Sequence, residues 1–147
     1  MTRPPIDPSS IDWLAFNAPI IDEFRDAGGN LSGQWEGNPT LLLTTIGRRS
    51  GQPRTSPLTF TTDGDDLVVI ASRAGDDRHP DWFFNLVDNP NVVVELGTER
   101  FDATAVVVSE PDRTRLFEDR VAEMPRFGQY RTLTDREIPV VVLRRRG

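Results

Sequence analysis

Leu41-Leu42-Leu43-Thr44-Thr45-Ile46, Gly47-Arg48-Arg49-Ser50-Gly51-Gln52-Pro53-Arg54 and Thr55-Ser56-Pro57-Leu58-Thr59-Phe60 read in turn as a strand, a tight connector and a second strand. Both flanks are rich in threonine and apolar residues, and the connector carries two glycines and a proline. Three arginines fall within its last seven residues. A glycine-punctuated loop lets backbone N–H groups approach a ligand, and arginines on such a loop bond phosphate or carboxylate in bidentate fashion. The stretch is therefore a candidate anion-grasping loop between two strands. A surface hairpin with solvated arginines fits the same residues.

Composition narrows the chemistry. The chain has 147 residues, the size of one domain with its own core, and a net charge of −6. That charge disfavours nucleic acid. All 17 basic residues are arginine, so neither a Schiff base nor a lysine general base is available. Cysteine is absent, which removes thiol nucleophiles, iron–sulfur clusters and disulfides. A single histidine, His79, cannot build a His-rich metal site, and no metal ligand set is expected. There is no nucleophile-elbow motif and no G-x-G-x-x-G. No signal peptide is read, and no apolar run reaches the ~20 residues of a membrane span, so a cytoplasmic protein is the expectation. Chemistry performed by a bound cofactor survives this elimination, as does no chemistry at all.

Outward from the connector, residues 1–8 read as an irregular, proline-rich arm, with Ser9 or Ser10 capping a short helix to Phe16. Asn17 reads as a second cap, Pro19 as a first-turn residue, and Ile20, Ile21 and Phe24 as the stripe of a helix stopped by Gly28-Gly29. That amphipathic helix could cover a barrel mouth or touch a membrane surface. Its acidic polar side favours packing. After the linker with Trp35, Thr62-Asp63-Gly64-Asp65 is a turn, and Leu67 to Ala71 is an apolar strand buried on both faces. Ser72 to Arg78 is a second polar loop. A helix opens at His79-Pro80-Asp81, with Pro80 at its first position and Trp82, Phe83, Leu86 and Val87 inward. Asn91–Leu96 and Arg100–Val108 form a hairpin, the latter presenting Phe101, Ala103, Ala105 and Val107 to one face. Ser109 reads as the cap of a helix with Leu116, Phe117, Val121 and Met124 inward. Pro125 ends it, the aromatic segment 126–130 has no assigned structure, and Ile138–Leu143 is the last strand. About six mainly antiparallel strands with inserted helices make an α+β protein, a small barrel with helical caps, in one domain over 1–147.

Three segments in order give this chain a familiar look. Gly47-Arg48-Arg49-Ser50-Gly51-Gln52-Pro53-Arg54 with Pro57-Leu58, Ala71-Ser72-Arg73-Ala74-Gly75 followed by Pro80-Asp81-Trp82-Phe83-Phe84-Asn85-Leu86, and Thr134-Asp135-Arg136-Glu137-Ile138-Pro139-Val140 resemble the deazaflavin-dependent nitroreductases. The likeness runs from about Phe16 to Leu143. It implies an FMN-binding-like split β-barrel, coenzyme F420 as cofactor, and hydride transfer from the reduced deazaflavin to a quinone, an enone or unsaturated lactone, or a nitro compound. It implies Arg49, Ser50 and Arg54 at the anionic tail, and Pro57 and Leu58 along the ring. Ala71, Ser72, Arg73, Asp81, Trp82 and Asn85 fall at the remaining cofactor positions. Arg48, with Arg73 and Arg78 from the next loop, would complete an arginine clamp suited to a phosphodiester followed by carboxylates.

The acceptor side differs from the pattern. Tyr130 matches one aromatic pocket position, but Met124, Phe127 and Thr59 stand where the family's familiar members carry tyrosines. This makes a greasier pocket, better suited to quinones or enones than to nitroimidazoles. Ser72 and Tyr130 are the candidate donors to charge developing on the acceptor oxygen. Plainer readings stand beside these. Trp82 fits a core position, His79 a helix cap, Asn85 a helix-to-strand bond, Asp135 and Arg136 an ion pair closing the last strand, and Arg144 to Arg146 a solvated tail. Two other functions remain open: a split-barrel enzyme using FMN, and a non-catalytic deazaflavin- or haem-binding protein. A homodimer and peripheral membrane contact are open too, the latter disfavoured.

Overall fold

The computed structural model of the chain describes residues 13–32, 39–72, 79–134 and 136–146, and only the backbone of 13–16, 126 and 131. Expectations for the N-terminal arm, Trp35, Arg73, Arg78 and Asp135 lie outside the described residues. Seven strands form one sheet: β1 (Thr40–Ile46), β2 (Pro53–Thr59), β3 (Thr61–Asp63), β4 (Asp66–Ile70), β5 (Asn91–Leu96), β6 (Glu99–Val107) and β7 (Val140–Arg145). The helices are α1 (Trp13–Asp26), α2 (Asp81–Asp88), α3 (Asp112–Glu123) and α4 (Arg126–Thr132). The strand order is β2-β1-β5-β6-β7-β4-β3, and every neighbouring pair is antiparallel.

Connectivity forces this sheet to curl. Its two edge strands, β2 and β3, are consecutive in sequence and separated by Phe60 alone. Seven strands laid flat would place those edges about 29 Å apart. One residue bridges about 7 Å between its neighbours. The ends must therefore swing toward each other, and the core reflects it. Leu41 and Leu43 of β1 share one buried cluster with Leu67 and Val69 of β4, near the opposite end of the strand order. Val92, Val94, Ala103, Ala105, Val141 and Leu143 complete the wall, and α2 plugs the interior with Trp82, Phe83 and Leu86. The result is the expected split barrel. Arg120, only 2% exposed, reinforces the seam by donating to the Phe60 carbonyl at 3.1 Å.

Strand alternation sends the other residues outward. Leu42 packs against Phe24, Ile20 and Ile21 of α1, so that stripe covers the outside of β1. Val68 and Ile70 meet Leu116, Phe117, Phe127 and Ile138 beneath α3 and α4, which confirms that β4 is buried on both faces. Among the described residues, no helix is long and apolar enough to cross a membrane.

Several local expectations are corrected. One helix runs through Asn17 and carries Pro19 internally, where two were expected. The cost of one missing i→i−4 bond is accepted for a continuous stripe against Leu42. Its end is as read: Gly28 and Gly29 have φ of +63° and +94°, and the Gly29 N–H bonds the Phe24 carbonyl at 2.8 Å. Pro53 and Arg54 belong to β2, paired with Ile46 and Thr45, because the turn needs only six residues. Pro80 occupies the cap position of α2 and not its first turn, with no side-chain cap. At α3 the cap position is Pro111, not Ser109, and the Glu110 carboxylate takes the Thr114 N–H at 2.8 Å. Val87 and Val107 are exposed, at 59% and 45%. Segment 126–130 is helical. Arg144 and Arg145 extend β7 and pair with Asp66 and Glu99, so they are not a free tail, although residues 144–146 are solvent-exposed as expected.

Candidate active site

The arginine turn is built by its glycines. Gly47 donates to Gln52 and accepts from Gly51, both at 2.8 Å, closing a loop only one turn wide. A Cβ on Gly47 would sit 2.5 Å from the Ser50 hydroxyl. Gly51 holds φ +71°, a conformation that L side chains resist. The Ser50 hydroxyl accepts the Gln52 N–H at 3.1 Å and so stiffens the same turn. Arg48, Arg49 and Ser50 crown it, and Arg54 follows on β2, all exposed. Among the described residues, none of these three arginines has a carboxylate partner, whereas Arg25, Arg113, Arg115, Arg144 and Arg145 all do. The turn and the strand after it thus gather three arginines without carboxylate partners among the described residues into seven positions.

Asn85 anchors the turn to the barrel. It is 5% exposed, and its Nδ2 donates to the buried Thr45 hydroxyl at 3.0 Å. Its Oδ1 accepts the Arg48 backbone N–H, also at 3.0 Å. The Arg48 guanidinium lies 4.5 Å over the Phe84 ring. The turn thus docks one helical turn into α2, at Phe84 and Asn85, not at the helix N-terminus. The helix-to-strand reading of Asn85 was right but incomplete, since the same side chain also fixes the loop.

Pro57, Leu58 and Thr59 lie on β2, which pairs only with β1. One side of its backbone is therefore unpaired within the sheet and can meet a ligand. Ala71 and Ser72 follow β4 and are 0% and 7% exposed. Asp81 is exposed at the start of α2. Trp82 belongs to the barrel core at 7% exposure. On the other side of β4, Met124 and Tyr130 pack with Phe127, whose ring meets Tyr130 edge-on at 5.3 Å.

A second junction was not anticipated. Arg136 donates to the Ala71 carbonyl at 3.1 Å, the Ser72 carbonyl at 2.7 Å and His79 Nδ1 at 2.9 Å. His79 is therefore not a helix cap; it is held between Arg136 and the Phe83 and Phe84 rings, at 4.7 and 5.5 Å. Burial, then the neighbouring Arg136 charge, pushes its pKa below the ordinary histidine value. The expected ion pair of Arg136 with Asp135 lies outside the described residues; the described contacts of Arg136 reach Ala71, Ser72 and His79. No local pattern could reveal partners 57 to 65 residues away. Arg120 was also missed, although its spacing from Leu116 and Phe117 already placed it on the buried face of α3.

Comparison with known proteins bears on the family and the fold. The family model for F420H(2)-dependent quinone reductases matches residues 20–145. An F420H(2)-dependent quinone reductase of Mycobacterium tuberculosis is 41% identical over 127 residues, covering 84% of this chain and 85% of its own. Among solved structures, an F420-H2 dependent reductase (FDR-A) superposes with a TM-score of 0.65 at 36% identity, over 71% of this chain and 93% of that one. A chain solved as a domain-swapped dimer gives 0.67 at 32% identity, over 90% and 97%.

Proposed function

Because this chain belongs to the F420H(2)-dependent quinone reductase family, an oxidoreductase family whose cofactor is coenzyme F420, we propose that it reduces a quinone-type acceptor at the expense of F420H2. The observation that carries the proposal is the set of three exposed guanidiniums, Arg48, Arg49 and Arg54, on a turn anchored by Asn85 and the strand after it, without carboxylate partners among the described residues. A phosphodiester and oligoglutamate tail supplies the missing negative charge, so these residues fit the cofactor. In a protein of net charge −6, such a patch also draws an anion toward one place.

When bound, reduced F420 supplies a hydride. Arg48, Arg49, Ser50 and Arg54 would hold its anionic tail, and Pro57 and Leu58 on the edge strand β2 would contact its ring. Ala71, Asp81, Trp82 and Asn85 would support the cofactor from α2 and the end of β4, Asn85 by fixing the turn. Quinone reduction needs a hydride and a proton, and negative charge develops on an acceptor oxygen. Ser72, through its hydroxyl or N–H, and Tyr130 are the donors assigned to that oxygen. Thr59, Met124 and Phe127 give the acceptor a mainly apolar enclosure, which favours quinones and enones.

Fluorescence titration with oxidised F420 and with FMN tests the cofactor, and loss of F420H2 against menadione and a coumarin tests the reaction. Preferential binding of F420 and consumption with menadione are expected. Preference for FMN, or no consumption with either acceptor, overturns the proposal.

A further inference from the structure

Arg136 sits outside every helix and strand, yet it joins three separate parts of the molecule. Its own segment is fixed from behind: Arg113 of α3 donates to the Ile138 carbonyl at 3.1 Å and pairs with Glu137 at 2.6 Å. The Arg136 N–H bonds the Thr134 hydroxyl at 3.2 Å. From that support the guanidinium reaches the end of β4 and His79.

Two features of these contacts are specific. In an extended chain, successive carbonyls point in opposite directions, yet those of Ala71 and Ser72 converge on the same Nη2. The guanidinium therefore stabilises the bend where the chain leaves the sheet. In a trans peptide the C=O and N–H are antiparallel, so an Ala71 carbonyl aimed at Arg136 turns the Ser72 N–H away from it. A cation on that carbonyl also polarises the peptide and strengthens its N–H as a donor. The third contact fixes a tautomer. Arginine can only donate, so His79 Nδ1 accepts and the ring proton resides on Nε2.

We propose that Arg136 is a positioning residue for the reductase reaction, one that aims the Ser72 N–H at the acceptor and holds His79 in the Nε2–H form. The proposal rests on the reading above that Ser72 faces the acceptor. It adds a residue that the cofactor set does not contain, acting through Ser72 and His79.

Arg136→Met removes the three described side-chain bonds; Arg136→Lys keeps the charge but cannot span these three acceptors in a fixed fork. Both are assayed for F420 affinity by fluorescence and for kcat with menadione. Because His79 is the sole histidine, its two ring nitrogens give an unambiguous 15N NMR signature of the tautomer. We expect a kcat reduced by about 10- to 100-fold, a smaller loss of F420 affinity, and loss of the single Nε2–H form. Should Arg136→Met fail to fold, Arg136→Lys carries the same test. Wild-type kcat in a folded variant of an active enzyme overturns this proposal alone, as does an unchanged tautomer. An inactive wild-type protein overturns the functional reading instead.

Discussion

Replacing Asn85 by alanine separates a residue that touches a ligand from one that holds the loop which does. The substitution deletes two hydrogen bonds of 3.0 Å, one to the Thr45 hydroxyl and one from the Arg48 N–H. Thr45 is 0% exposed, so its hydroxyl loses its partner without gaining water, a cost of about 1–3 kcal/mol. The Arg48 N–H lies at an exposed turn and can rehydrate, which limits that loss to about 0.5–1.5 kcal/mol. The sum is roughly 2–4 kcal/mol, which for a chain of this length lowers Tm by roughly 5–15 °C. Calorimetry of Asn85→Ala measures it. The released turn should also hold the anionic tail poorly. Affinity for intact F420 should fall by about tenfold or more, in line with one lost charge-assisted bond. A deazaflavin lacking the tail should bind as it does to wild type. A variant with wild-type Tm and wild-type F420 affinity would refute the anchoring role; equal losses for both ligands would show that Asn85 serves the ring and not the turn.

Arg49→Ala and Arg54→Ala, made separately, should each weaken F420 by about 10- to 100-fold with a reduced salt dependence, and change FMN binding much less. Titrations at two ionic strengths check this, and unaltered affinity in both variants contradicts the clamp. Because the folded-state pKa of His79 is depressed, the unfolded chain binds its proton first; stability is complete above the ordinary value of 6.5 and falls as pH drops below it toward the lower folded-state pKa. The carboxyls of Glu23 and Glu110, lowered mainly by hydrogen bonds from Ser32 and Thr114, add a second decline below 4.5. Tm followed against pH should show both limbs, and His79→Gln should remove only the upper one. Gly29→Ala should cost about 1–3 kcal/mol, because its φ is +94° and the added Cβ would lie 2.9 Å from the Gly97 Cα. Urea denaturation reads that cost, and an unchanged midpoint would mean that the α1 terminus does not pack on the β5–β6 turn.

Local chemistry made several features of this molecule readable in advance. The Gly-Gly stop of α1, the Asp-Gly turn before β4 and the apolar run of β4 itself each depend on a few adjacent residues, and all three were legible. So was the arginine turn, because glycine spacing and charge are properties of one short segment. Boundaries and caps were less so. Pro19 continues a helix and Pro111 replaces Ser109 as a cap because packing against Leu42 and the Glu110–Thr114 contact outweigh local preference.

Side-chain pattern along the chain determined the strands, the barrel class and the presence of an arginine-bearing glycine turn, since those follow from period, turn chemistry and charge. Tertiary structure alone decided which residues hold that loop and the end of β4. Asn85 meets Thr45 across 40 positions and Arg136 meets His79 across 57, and such partners become neighbours only when α2 packs on β1 and β4 pairs with β7. A polar side chain in sequence shows what it can bond; the fold selects what it does bond.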